Sequence, residues 1–231
     1  MKKFLLAIIL FSLISPALCR AAEPAVIYWD SAAGKELRAR MPADADYWQL
    51  SPNFVVQMTQ SYCSVASAIT VLNTMPISKP VDPTYAPYAY FTQSNFFTPE
   101  VTKVISAETV LAIGMTREQM AETLNRQGVN ATSIAGDTLD DAALRNLLSK
   151  ALGDDGKFVL ANYLRASLEQ VGGGHWSVLA AYDAQSDRVL ILDVAKYKYT
   201  PAWVAISTLR QAIATIDTTS NKARGLVVVS K

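Results

Sequence analysis

Residues 175–195 read HWSVLAAYDAQSDRVLILDVA. Two runs rich in Val, Leu, Ile and aromatic residues flank Asp183-Ala184-Gln185-Ser186-Asp187, a cluster of turn formers. That is the pattern of two antiparallel strands joined by a short loop. Folded so, the hairpin brings His175 and Asp193 to the same end of a sheet. A carboxylate that ends an apolar strand needs a partner, because burying it alone is costly. An imidazole N–H on the neighbouring strand supplies one.

Working outward, KFVLANYLR (157–165) and RGLVVVSK (224–231) read as further strands, with a helix around Val204 to Ile216 between the hairpin and the last of them. The first half has a different texture. A short helical piece is expected around Gly34 to Arg40. A strong helix begins at Cys63, where Val65, Ala66, Ile69 and Leu72 recur at spacings of three and four until Pro76 and Pro80 stop it. Residues 76–115 are rich in Pro, Tyr and Phe and predict irregular structure, with one helix from Pro99 to Ser106. Thr116 and Gln119 form a capping box for another, ended by Gly128, and a third runs from Leu139 to Leu152. The expectation is an α+β fold: an N-terminal helical lobe, a C-terminal antiparallel β-sheet lobe, and a cleft between them.

The chain has 231 residues, 18% of them charged, with a formal net charge of +1, which fits one domain. No basic stripe with interleaved aromatics is present, so nucleic acid is not expected as a partner. Lys2 and Lys3, the apolar run Phe4–Ile14 and the small residues Ala17 to Ala21 read as a secretory signal over residues 1–21, leaving a single domain over 22–231. The run is too short to span a bilayer, so no stable membrane insertion is expected after cleavage. Export to a bacterial periplasm follows from this reading.

Beyond the signal the chain carries one cysteine, Cys63, and one histidine, His175. In an oxidising compartment an odd thiol is either reactive or a small buried core residue. Polar residues precede Cys63, which places it at a helix N-terminus, where exposed N–H groups and the helix dipole favour a thiolate. A thiol also needs a base, and His175 is the imidazole available to it. Gln57, six residues before Cys63, could join the Cys63 backbone N–H as an oxyanion donor. One Cys and one His cannot close a zinc site, so no metal site is expected.

These residues stand in stretches that resemble a known family. SYCSVASAITVLNTM (61–75), VLANYLRASLEQVGGGHWSVLAAYDAQSDRVLILDVAKYKYTPAWV (159–204) and IDTTSNKARG (216–225) are similar to the phytochelatin synthase family, in its short bacterial form, within the papain-like superfamily. The resemblance implies catalysis by Cys63 with His175 as base and acid, Asp193 as orienter and Gln57 as oxyanion donor. It implies glutathione and γ-Glu-Cys peptides as substrates: Cys63 attacks the Cys–Gly amide, glycine leaves, and a γ-Glu-Cys thioester goes to water or to a second thiol peptide. Asp217 and Arg224 match positions that hold the γ-glutamyl head. Asn162, Tyr163, Arg165 and Gly174 fall in matching stretches and are expected at the substrate, with Lys196 and Lys198 nearby. No cofactor is required, activation by glutathione thiolates of Cd or Zn fits the family, and a homodimer is compatible with it. The chain has neither the Cys-rich C-terminal region nor the extra cysteines of plant members, so hydrolysis is expected to outweigh transfer. A papain-like peptidase or amidase on other small peptides and a non-catalytic thiol-peptide binder are the rival readings.

Overall fold

The computed structural model describes residues 24–153 and 156–231; the signal read over residues 1–21 lies outside them. Its centre is a seven-stranded antiparallel sheet in the order β1-β6-β5-β4-β3-β9-β2, where β1 is Val26–Tyr28, β2 Asn130–Ala135, β3 Lys157–Leu164, β4 Gly174–Asp183, β5 Arg188–Leu192, β6 Ala202–Ala205 and β9 Gly225–Ser230. A separate two-stranded hairpin pairs β7 (Ile216–Asp217) with β8 (Lys222–Ala223). The helices are α1 (Ala32–Ala39), α2 (Tyr47–Leu50), α3 (Cys63–Thr74), α4 (Pro99–Thr102), α5 (Ala107–Ile113), α6 (Arg117–Asn125), α7 (Asp141–Ala151) and α8 (Ile206–Ile213).

Period-two alternation sorts the strand residues between two apolar layers. Phe158 and Leu160 of β3, Trp176 and Val178 of β4, Leu190 and Leu192 of β5, and Val227 and Val229 of β9 face the layer that holds α3. Val159, Ala161, Leu179, Ile191 and Leu226 face the layer of Leu144 and Leu148 from α7 and Leu209 and Ile213 from α8. The β4–β5 register shifts between Leu179 and Ala181, so Ala180 and Ala181 both point to the α3 side, as a bulge allows.

Helix α3 is buried on every side from Cys63 to Asn73, with small or hydrogen-bonding residues (Ser64, Ser67, Thr70, Asn73) between its apolar ones. The Asn73 amide reads both backbone groups of Phe91, donating to its carbonyl at 2.8 Å and accepting from its N–H at 2.9 Å, and so ties the irregular segment to this helix.

The structure corrects several expected boundaries. The sheet is not confined to the second half of the chain: β1 and β2 form its two edges. The helix expected over 99–106 is the four-residue α4, and α5 follows with Ser106 as its cap, its hydroxyl accepting from Thr109 N–H at 3.2 Å. The helix expected to start at Val204 starts at Ile206, because Val204 pairs with Val189 in the sheet. Helix α7 runs Asp141–Ala151, capped by Asp140, inside the expected 139–152. The capping box on α6 is present, but the helix closes at Asn125 with Arg126 as C-cap, and Gly128 (φ 84°) turns the chain two residues later. Among the described residues no helix is long and apolar enough to cross a membrane.

Candidate active site

The segment before α3 forms a turn in which Tyr62 N–H donates to Thr59 O at 3.2 Å. Ala66 N–H then makes the helix bond to Tyr62 O at 2.9 Å. The N–H groups of Cys63, Ser64 and Val65 precede that bond and are first-turn donors without an intrahelical acceptor. Cys63 sits among them, buried.

The imidazole arrives from the sheet. His175 is opposite Tyr163 in the β3–β4 ladder, and β5 ends one residue before Asp193. The hairpin geometry expected from the sequence is present: His175 Nε2 lies 2.8 Å from Asp193 Oδ1, with both groups buried. That leaves Nδ1 for Cys63, and the thiol and the ring are hydrogen-bond partners.

Electrostatics set the charge state. Burial pushes the Cys63 thiol up, the largest single influence, but the facing imidazolium and the backbone N–H groups of Trp176 and Ser64 reverse it, and the thiol titrates below its ordinary value. Burial pushes His175 down, and the thiolate and Asp193 outweigh it, so the imidazole titrates above its ordinary value. Burial would raise Asp193 as well, yet His175 and Arg165 hold it well below the usual carboxylate range. The arrangement favours a thiolate–imidazolium pair backed by a carboxylate.

Arg165 was expected at the substrate. It lies on Asp193: its guanidinium donates from NH1 to Oδ2 at 2.7 Å and from NH2 to Oδ1 at 2.9 Å. Tyr163 is fully buried behind the imidazole, its ring centroid 5.6 Å from that of His175 in an edge-on arrangement and its hydroxyl 3.1 Å from Ser177 Oγ. Burial, above all, keeps that phenol protonated.

Asp217 and Arg224 are presented by the β7–β8 hairpin, whose turn Asn221 closes at φ 54°. Both are buried, and Arg224 NH2 stands 3.6 Å from Asp217 Oδ1. Arg224 NH1 donates to Asn162 Oδ1 at 2.8 Å, which joins Asn162 to this pair. A Cβ on Gly174 would fall 2.2 Å from Arg224 NH1, so glycine is what lets the guanidinium lie against β4. Burial pushes the Arg224 guanidinium down, against the attraction of Asp217 and of Cys63. Arg224 Nε is buried without a partner among the described residues.

Gln57 is linked to the Asp193 loop, its backbone N–H donating to Val194 O at 2.9 Å. Its side-chain Nε2 donates to Thr59 O at 2.8 Å and to Tyr197 OH at 3.0 Å, and Oε1 is buried without a partner among the described residues. A cavity of about 250 Å³ opens beside it, lined among others by Gln57, Arg165, Gly174, His175, Tyr197 and Lys198; its lining contains no carboxylate. Lys198 Nζ reaches Val171 O at 2.6 Å, and Lys196 Nζ reaches Phe54 O at 2.8 Å beside the Phe54 ring. A larger open depression of about 760 Å³ along residues 137–143 holds neither thiol nor imidazole. Among the described residues no three His, Cys, Asp or Glu side chains stand close enough together to hold a metal.

The sequence reading missed Tyr197 and Gln170, the latter 2.7 Å from Arg165 NH1 through its Oε1. No spacing rule marks them; each is defined only by the loop that folds over Arg165 and Asp193.

A thiol at a helix N-terminus, facing an imidazole and a carboxylate from paired strands, on helices packed against an antiparallel sheet, is a papain-like arrangement. The family model of phytochelatin synthase matches residues 19–226, and the chain belongs to that family. It is similar to glutathione γ-glutamylcysteinyltransferase 1 of Triticum aestivum (29% identical, over 90% of this chain and 41% of that protein). The protein of the same name from Arabidopsis thaliana is 28% identical over 90% of this chain and 42% of that one. Glutathione γ-glutamylcysteinyltransferase of Schizosaccharomyces pombe is 24% identical over 87% and 48%. The chain thus spans under half the length of these curated relatives.

Proposed function

We propose that the chain is a cysteine acyl-transfer enzyme that cleaves the Cys–Gly bond of glutathione. Cys63 Sγ attacks the cysteinyl carbonyl carbon. The first-turn N–H groups of α3 face the developing oxyanion, with Gln57 beside them once its amide leaves Tyr197. The His175 imidazolium gives its proton to the glycine nitrogen, the C–N bond breaks, and γ-Glu-Cys remains as a thioester on Cys63. Water, or the α-amino group of a second glutathione, then attacks the thioester carbonyl with His175 taking the proton, and the C–S bond breaks to return the Cys63 thiolate. Hydrolysis is the favoured outcome, no cofactor takes part, and Cd or Zn thiolates of glutathione act as activating substrates. A periplasmic site of action goes with the signal-like N-terminus.

The observation that carries this reading is the buried Arg224–Asp217 pair within electrostatic reach of Cys63. A γ-glutamyl head bears one carboxylate and one ammonium, and this pair offers one cation and one anion. A general endopeptidase has no need of both. The test is mass spectrometry of glutathione incubated with the protein, with and without Cd²⁺ or Zn²⁺, beside Cys63→Ala. Glycine and γ-Glu-Cys that depend on Cys63 support the reading, and oligomers of γ-Glu-Cys would show that transfer outweighs hydrolysis. Intact glutathione beside cleaved protein substrates would replace it with the peptidase reading.

A further inference from the structure

The Asp193 carboxylate is held by more than its histidine. Oδ1 accepts from His175 Nε2 at 2.8 Å, from Arg165 NH2 at 2.9 Å and from Ala195 N–H at 2.8 Å, while Oδ2 accepts from Arg165 NH1 at 2.7 Å. The plane of the carboxylate is therefore set by the plane of the Arg165 guanidinium. That plane is in turn set by Gln170, whose buried Oε1 accepts from the same NH1 at 2.7 Å.

The loop is built to deliver this carbonyl. Gln170 N–H donates to Arg165 O at 3.1 Å, and Glu169 before it turns at φ 57°. Arg165 N–H is tied to Gly173 O at 3.1 Å, Val171 N–H to Tyr199 OH at 2.7 Å, and the Tyr199 ring lies 5.0 Å from Arg165 Cζ. An amide is the suitable group here. It accepts from the guanidinium without adding a charge that would compete with Asp193 for it.

We propose that Gln170 is a positioning residue for the reaction: by orienting Arg165 it fixes the Asp193 carboxylate and, through that, the His175 ring that faces Cys63. The proposal rests on the reading of Cys63 as nucleophile. The charged and titratable groups that face the thiol–imidazole pair are Asp193 after β5, Arg165 and Tyr163 from β3 and its end, and Arg224 before β9. Gln170 touches Arg165 and none of the others by hydrogen bond.

The experiment measures the thiol itself, with no glutathione present. Gln170→Met keeps the volume and removes the acceptor. Iodoacetamide alkylation of Cys63 and thiolate absorbance at 240 nm are followed against pH in the full chain. In Gln170→Met the alkylation rate at pH 6 is expected to fall about tenfold, one unit of apparent thiol pKa. The absorbance midpoint should rise in step; in a separate assay with glutathione as substrate, kcat should drop with KM unchanged.

Gln170→Asn, which shortens the amide by one methylene, is a second arm expected to shift the same way by less. It serves if the Met variant does not fold. A variant without the acceptor that titrates like the parent would overturn the proposal. If the parent thiol titrates as an ordinary cysteine, the nucleophile reading falls and the proposal with it. If glutathione is untouched while the Gln170 shifts appear, the positioning role stands and only the substrate is reassigned.

Discussion

The two halves of the site differ in how completely their charges are matched. Around Asp193 every strong group is paired: two guanidinium nitrogens, an imidazole and a backbone N–H converge on one carboxylate. Around Arg224 the matching is loose. The guanidinium makes one hydrogen bond to Asn162, stands 3.6 Å from Asp217, and keeps Nε buried without a partner among the described residues. A buried donor left unpaired costs on the order of 1–3 kcal/mol. The first half is a finished device that holds a proton acceptor in place. On the proposed reading the second is the receptor, with charges left loosely matched for an incoming γ-glutamyl head.

The sharpest way to break this comparison is to remove the nucleophile on which both halves converge. Cys63→Ala is expected to abolish glutathione cleavage, a loss on the order of 10⁴-fold or more. Glutathione should still bind, since Arg224 and Asp217 are untouched, and calorimetry on the Cys63→Ala protein would measure that binding. Absence of binding would mean that the loose half is a structural ion pair and not a receptor.

Next in size is Gln57. Loss of an oxyanion donor costs roughly 10²–10³ in kcat. In the ligand-free protein both Nε2 protons are spoken for by Thr59 O and Tyr197 OH, so the amide must give one up to act. Gln57→Ala is expected to lower kcat by about 10² in pre-steady-state acylation, with little change in KM. An unchanged acylation rate would leave the oxyanion to the α3 N–H groups alone.

Arg224→Leu comes third. A buried charge that pairs with a substrate carboxylate is worth about 2–5 kcal/mol. The expected result is a fall in kcat/KM of at least about 30-fold, carried mostly by KM. Asp217→Asn should fall less, because the amide still accepts from the ligand ammonium. Equal losses in kcat for both variants, with KM steady, would turn the loose half into part of the catalytic device.

How much of this was legible in the sequence follows the same division. The closed half was readable because its parts obey strong local rules. An apolar hairpin with a turn at 183–187 fixes the ends that carry His175 and Asp193, and helical spacing after Cys63 fixes the thiol at the start of α3. The groups that hold Asp193 from behind were not readable. Arg165 turns onto Asp193, and Gln170 onto Arg165, through a loop that spacing rules do not describe.

The missed secondary structure has physical reasons as well. β1 is three residues long, β6 four, and β2 reads NATSIA, which alternates too weakly to stand out; all three exist because a neighbouring strand supplies their hydrogen bonds. Helix α5 was hidden beside an aromatic, proline-rich stretch, although Ser106, Thr109 and the terminal Gly114 (φ 76°) were visible signals for it. The placement of Asp217 and Arg224 came from family likeness, since nothing in a short turn between two strand residues marks a clamp.

The smallest expected effect is the one that couples the halves. Activity requires the thiolate and the imidazolium together, so the acid limb of kcat/KM belongs to Cys63 and the basic limb to His175. Cys63 titrates below its ordinary value and His175 above its own, so the acid limb lies below the ordinary thiol value and the basic limb above the ordinary imidazole value. The stability signs agree with this. The raised His175 contributes stability at low pH that is lost as pH climbs through its folded value. The lowered Cys63 contributes stability at high pH that is lost as pH drops through its own. Arg224 is a cation felt by the thiolate from the open half, whereas His175 is held by Asp193 in the closed half. Arg224→Leu should therefore move the acid limb up by roughly half a unit, about threefold in rate on that flank, and leave the basic limb in place. The pH dependence of Cys63 alkylation measures the acid limb free of any substrate effect. An unmoved acid limb would make the two halves electrostatically independent, and the Arg224 guanidinium would then act on the ligand alone.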